Sequence, residues 1–115
     1  LLKFDRGSRA LSARLKSGTA DLFVSYPYTP SDTIDTIVAE YERTPYNKIT
    51  LYVNGVSIGS STLSSSIDLF PAGGDGLKIF SNGVSCDPLE TGIRYLGIYN
   101  KALTLTEIST IESRL

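Results

Sequence analysis

The sequence predicts an all-β sandwich or barrel that ends in one short helix. Short stretches rich in β-branched and aromatic residues recur along the chain, with turn residues between them about every eight to twelve positions. Asn54-Gly55 is the strongest of these turn signals, because both residues accept a positive φ. Near the end of the chain, Thr104 and Glu107 have the spacing of a helix-capping box.

Residues 1–9 carry mixed charge without a clear period, and we expect an irregular entry segment. Residues 10–16 and 21–26 contain strand formers on either side of the turn signal Ser17-Gly18-Thr19. Together they predict a hairpin.

The apolar residues of the segment 34–42 fit both a helical face and a strand face. Its β-branched content and the strand that follows favour a strand. Residues 48–53 alternate cleanly and lead into Asn54-Gly55, from which residues 56–59 return. We expect residues 60–66 to form a polar loop.

Two further strands are predicted, at residues 77–81 and 93–99. In the second, Leu96 and Ile98 share one face, and Tyr95 and Tyr99 share the other.

The closing helix has the clearest signals in the chain. Thr104 occupies the N-cap position, and Leu105, Ile108 and Ile111 form an apolar stripe. A helix of about ten residues is too short to be stable alone, so we expect it to dock against the strands.

Composition limits the class of protein. The 115 residues fit one domain, and 41% of them are hydrophobic, which is enough for a core. The 11 basic and 12 acidic residues show no run of like charge, which argues against binding nucleic acid through its phosphates. No apolar stretch approaches the roughly 18 residues of a membrane span, so we expect no membrane insertion.

The chain contains no histidine and a single cysteine, Cys86. The lack of histidine excludes Ser-His-Asp and Cys-His nucleophilic chemistry and most zinc sites. We interpret Cys86 as a small loop residue.

Two segments resemble a known family. Leu51-Tyr-Val-Asn-Gly-Val-Ser-Ile-Gly59 resembles the LYVNG-x-x-x-G hairpin of laminin-G-like domains in the concanavalin A-like lectin/glucanase superfamily. Ile93-Arg-Tyr-Leu-Gly-Ile-Tyr-Asn-Lys-Ala-Leu-Thr-Leu-Thr-Glu-Ile108 resembles that family's closing segment. Residues 77–83 lie where the family has an intervening strand, although Phe80 replaces the usual glycine. The resemblance implies an antiparallel jelly-roll sandwich with a short C-terminal helix.

The resemblance covers residues 35–111, and its motifs belong to the C-terminal half of the family's domains. We therefore expect residues 1–115 to be a concanavalin A-like domain that lacks its N-terminal strands. Its expected parts are the entry segment and hairpin (1–33), the sandwich strands (34–103) and the helix (104–113). Half a sandwich leaves open edges, so an upstream segment of a longer protein or other subunits are expected to complete it. The absence of methionine fits a fragment or cleavage product.

Some members of this superfamily hydrolyse glycans, which requires two carboxylates across the scissile bond. The related glucanases carry an E-x-D-x-x-E strand motif. The nearest approach here is Glu40-Tyr41-Glu42, and the rest of the motif is missing. We interpret the two glutamates as a solvated strand face and expect no enzymatic activity.

Lectin-like sandwiches often hold calcium in loops at one end, through carboxylate and amide oxygens. The candidates here are Asp75, Asn82 and Asp87. Ordinary turn chemistry explains the same three residues. We therefore expect no cofactor, with calcium as the alternative.

Four tyrosines flank the proline-containing loops and are the candidate ligand-binding residues: Tyr26, Tyr28, Tyr41 and Tyr46. Exposed aromatic rings can stack on sugars. The alternative is that these rings cover sheet faces or line a subunit interface, where tyrosine is also favoured.

Two function classes follow. The first is a non-catalytic module that binds glycans or a surface receptor as part of a larger extracellular, cell-surface or virion protein. The second is a structural module of a virion, such as a phage tail or capsid decoration, without a ligand of its own. The expected partners are a glycan or surface protein, and other subunits or the missing N-terminal part.

Overall fold

The computed structural model describes residues 2–5, 10–17, 20–29, 33–43, 47–63 and 94–115. These residues are mostly β-structure, in two antiparallel three-stranded sheets, with one short helix. The strand predicted at residues 77–81 and Cys86 lie outside the described residues. The elements are, in chain order, β1 (Leu2–Asp5), β2 (Ala10–Ser17), β3 (Ala20–Pro27), β4 (Ile37–Glu42), β5 (Lys48–Val53), β6 (Val56–Thr62) and α1 (Leu105–Glu112).

The first sheet contains β1, β2 and β3 in sequential order. The predicted hairpin is confirmed, because β2 and β3 pair antiparallel from Ala10↔Pro27 to Ser17↔Ala20. The expectation of an irregular segment at residues 1–9 was wrong for residues 2–5, which pair with β2. The sequence of these four residues alternates apolar with polar, but an alternation this short does not stand out beside the surrounding charges.

The second sheet contains β4, β5 and β6, also in sequential order. The turn between β5 and β6 is as predicted, since Asn54 and Gly55 have positive φ values of 50° and 80°. β6 continues to Thr62, so residues 60–62 are part of a strand and not of the predicted polar loop. The backbone of these residues pairs with β5. Their polar side chains are compatible with a strand because β6 lies at the edge of the sheet.

The strand predicted at residues 34–42 is confirmed from Ile37 onward. Ile34 is 64% exposed. Just before β4, the amide of Thr36 donates to Asn54 Oδ1 and its carbonyl accepts from Asn54 N, each at 2.8 Å. Thr36 is thereby held beside the β5–β6 turn.

The core lies between the two sheets. The strand alternation predicted for residues 48–53 is confirmed on its apolar face, where Ile49 and Leu51 are buried. They pack against buried side chains of the first sheet in one cluster with Leu11, Ala13, Leu22 and Val24. Burying a leucine stabilises the fold by roughly 1.5–3 kcal/mol, so this cluster is what holds the sheets face to face.

The strand predicted at residues 93–99 was wrong for residues 94–99, which form no strand. The hydroxyls of Tyr95 and Tyr99 lie 2.6 Å apart. Gly97 permits this, because a Cβ there would lie 2.7 Å from Tyr99 Cε2. The alternating pattern lacks a partner strand among the described residues, and alternation alone does not make a strand.

The capping box of α1 is confirmed. Glu107 N donates to Thr104 Oγ1 at 3.2 Å, and Thr104 N donates to Glu107 Oε2 at 2.9 Å. Lys101 Nζ also lies 2.5 Å from Glu107 Oε1. The hydrogen bond from Lys101, and then the one from the Thr104 amide, lower the pKa of the Glu107 carboxyl.

The docking of α1 is weaker than we expected. None of its residues is buried, and Leu105 is 61% exposed. Leu105 nevertheless reaches the β5–β6 turn, since a Cβ on Gly55 would lie 3.8 Å from its Cδ2. The helix thus lies at the end of the second sheet, with Leu105 exposed and with Ile108 and Ile111 half-buried.

Candidate functional site

Tyr26 is the most exposed of the described candidate tyrosines, with 45% of its surface accessible. It lies at the end of the β3 face that buries Leu22 and Val24. Its ring is placed against β6, because a Cβ on Gly59 would lie 3.5 Å from Tyr26 Cδ2. The missing side chain at Gly59 therefore lets the ring approach the β6 backbone and leaves its other surface open.

Tyr28 is half-buried and packs against the core cluster. Its hydroxyl donates to Asp35 Oδ2, and Asn54 Nδ2 donates to Asp35 Oδ1 at 2.9 Å. Burial, together with the bond to Asp35, raises the pKa of the Tyr28 phenol above its ordinary value. This network joins the segment after β3 to the β5–β6 turn.

Tyr41 is also half-buried against the core cluster. Its hydroxyl donates to Oδ1 of Asn47, which is fully buried. The Asn47 carbonyl in turn accepts a hydrogen bond of 2.8 Å from Leu63 N. The described geometry thus gives Tyr28 and Tyr41 packing roles and leaves Tyr26 as the exposed ring. Tyr46 lies outside the described residues.

Glu40 and Glu42 lie on the same face of β4, opposite Thr50 and Lys48 of β5. Lys48 Nζ lies 3.8 Å from Glu42 Oε2 in a half-exposed ion pair. Burial and then the two carboxylates raise the pKa of the nearby Tyr52 phenol. The arrangement is a polar strand face in which one of the two carboxylates has a basic partner.

The calcium candidates Asp75, Asn82 and Asp87 all lie outside the described residues. Within the described ranges, no group of three or more acidic, cysteine or histidine side chains converges on one point. In the described part of the chain, no helix is long and apolar enough to span a membrane.

An open groove of about 580 Å³ lies between α1 and the β5–β6 turn. We call it the α1 groove. It is lined by Ile34, Thr36, Asn54, Gly55, Arg94, Leu105, Ile108, Ser109, Glu112 and Leu115. Arg94 Nη2 donates to the Leu115 carbonyl and so connects the residues before α1 with those after it.

Sequence reasoning did not find the α1 groove. It assigned Ile34 to a strand, whereas the structure leaves this residue exposed beside the helix. The one signal for the groove in the sequence was the apolar stripe of α1, which predicted that the helix contacts another surface of the protein. The residues opposite it come from distant parts of the chain, and only the fold brings them together.

No protein-family model, no curated protein and no solved structure matches this chain. The resemblance to laminin-G-like domains therefore remains a prediction from the two motifs.

Proposed function

We propose that the chain is a non-catalytic surface-recognition module, which binds glycans or a surface receptor as part of a larger extracellular, cell-surface or virion protein. The observation that carries this proposal is the exposed Tyr26 ring held against Gly59. An aromatic ring already fixed in place loses little freedom when a sugar stacks on it. In this proposal the two sheets belong to an antiparallel jelly-roll sandwich.

A matched pair of variants on β3 tests the recognition site. Tyr26 and Phe23 are 45% and 48% exposed and lie on opposite faces of the strand. Tyr26→Ala is expected to abolish binding on a glycan array and to whole cells, because it removes the stacking surface. Phe23→Ala should leave binding intact. Equal loss in both variants, or no binding by the unmodified chain, would contradict the proposal.

A second candidate function is a structural module that takes part in assembly without a ligand of its own. Its support is the number of exposed apolar side chains in residues 94–115, where Leu96, Ile98, Leu105 and Leu115 are each at least 44% exposed. Exposed apolar surface is used for protein association when it forms a patch. Self-association on size-exclusion chromatography, combined with no glycan or cell binding, would favour this function over the first.

A further inference from the structure

The α1 groove combines exposed apolar side chains with two opposite charges. Ile34 is 64% exposed, Leu105 61% and Leu115 44%. Arg94 and Glu112 line the same groove. Its lining contains no aromatic ring, and the Asn54 side chain is already bonded to Thr36 and Asp35. These features suit apolar side chains and ion pairs better than they suit a sugar.

Neither charge has an ionic partner within the described residues. The ion pairs found there join Arg14 with Asp21, Lys48 with Glu42, and Lys101 with Glu107. Arg94 uses Nη2 to reach the Leu115 carbonyl, which leaves other guanidinium N–H groups for an additional acceptor.

Glu112 occupies an unfavourable position in α1. It lies in the last turn of the helix, and that turn contains no basic residue. The partial negative charge at a helix C-terminus repels a carboxylate and attracts a cation. A cation placed beside Glu112 would therefore remove an unfavourable interaction as well as form a new ion pair.

We propose that the α1 groove is the interface of a two-fold dimer, in which it packs against the α1 groove of a second copy of this chain. A two-fold interface brings the same surface together twice, so it must be complementary to itself. The charges of the α1 groove meet this condition, because Arg94 and Glu112 have opposite signs and a two-fold axis can place Arg94 of each copy beside Glu112 of the other. The net charge of −1 opposes association only weakly. The dimer uses Leu105 and Leu115 of the surface that supports the second candidate function, and it is independent of the first.

Sedimentation velocity over a concentration series tests the dimer with charge reversals. Arg94→Glu and Glu112→Arg each place two like-charged pairs at the interface, so each should weaken dimerisation by about tenfold or more. The double variant Arg94→Glu/Glu112→Arg should restore the dimer. An equal mixture of the two single variants should also restore it, as a heterodimer with both ion pairs of opposite sign.

Arg114→Glu is the matched control. Arg114 is exposed near the same end of the chain, and it does not line the groove. Its reversal changes the net charge as Arg94→Glu does, and the dimer should persist. Far-UV circular dichroism and urea unfolding of every variant separate loss of association from loss of fold.

Three results would overturn the proposal. The first is an unmodified chain that stays monomeric at all concentrations. This holds also if the groove of the monomer binds an added aliphatic peptide. The second is a dimer that neither single reversal weakens, since it would use another surface. The third is a double variant that fails to recover, since the reciprocal Arg94–Glu112 pairing would then be wrong. Glycan and cell binding are measured separately, so failure of the dimer leaves the test of Tyr26 intact.

Discussion

Replacing Leu51 by alanine tests whether the two sheets pack through the core described above. Leu51 has no exposed surface, and its register partners are Ala39 on β4 and Gly59 on β6. These small neighbours have few atoms that can move into the vacated space. Leucine-to-alanine changes in cores usually destabilise by about 2–5 kcal/mol, and more where the cavity cannot collapse. We therefore expect Leu51→Ala to lower the free energy of unfolding by about 4 kcal/mol.

Urea unfolding followed by far-UV circular dichroism measures this loss. Small proteins have m-values of about 1–3 kcal/mol per molar urea, so the midpoint should fall by more than about 1 M. Val56→Ala is the control, because Val56 lies in the same sheet and is 65% exposed. It should change stability by no more than about 0.5 kcal/mol. A Leu51→Ala loss below about 1 kcal/mol, close to that of the control, would refute the proposed packing of the two sheets.

Three further predictions concern the hydrogen-bonded parts of the fold. The pKa of Tyr28 is raised in the folded protein, so its contribution to stability is fully present below the ordinary tyrosine pKa of about 10 and is lost as pH rises above it. Tyr28→Phe should therefore flatten the fall in thermal stability above that pH. An unchanged slope would contradict the assigned burial of Tyr28. Thr104→Ala removes the N-cap acceptor and should destabilise α1 by about 1 kcal/mol, seen as faster amide exchange at Glu107; unchanged exchange would show that the cap is not used. Asn54→Ala removes two side-chain hydrogen bonds at a residue with positive φ, and it should lower the free energy of unfolding by about 1–3 kcal/mol. Asn54→Gly should lower that free energy by less, because glycine accepts a positive φ.

The sequence predicted best what is decided within a few residues. The Asn54-Gly55 turn needs only positive φ at two positions, and the Thr104–Glu107 capping box needs only a spacing of three residues. Both are as predicted. The β2–β3 hairpin is also local, and it was predicted nearly to its ends.

Features that depend on distant partners were predicted less well. The alternation of Leu96 and Ile98 indicates a strand only if another strand lies beside it, and no described strand does. The α1 groove was not predicted at all, because Ile34 and Arg94 become neighbours only through the fold. For the candidate tyrosines, residue type and position near loops did not distinguish the exposed Tyr26 from Tyr28 and Tyr41, whose hydroxyls are bonded to Asp35 and Asn47.

The sequential strand order of the two sheets has a consequence for how fast the chain folds. Each sheet is one continuous stretch, residues 2–27 and 37–62, and every described strand pairing joins neighbours along the chain. Loop closure for such pairings loses little entropy, and proteins rich in local contacts fold faster than other β-proteins of similar size. The strands of either sheet can therefore pair before the two sheets, which are joined by residues 28–36, pack against each other.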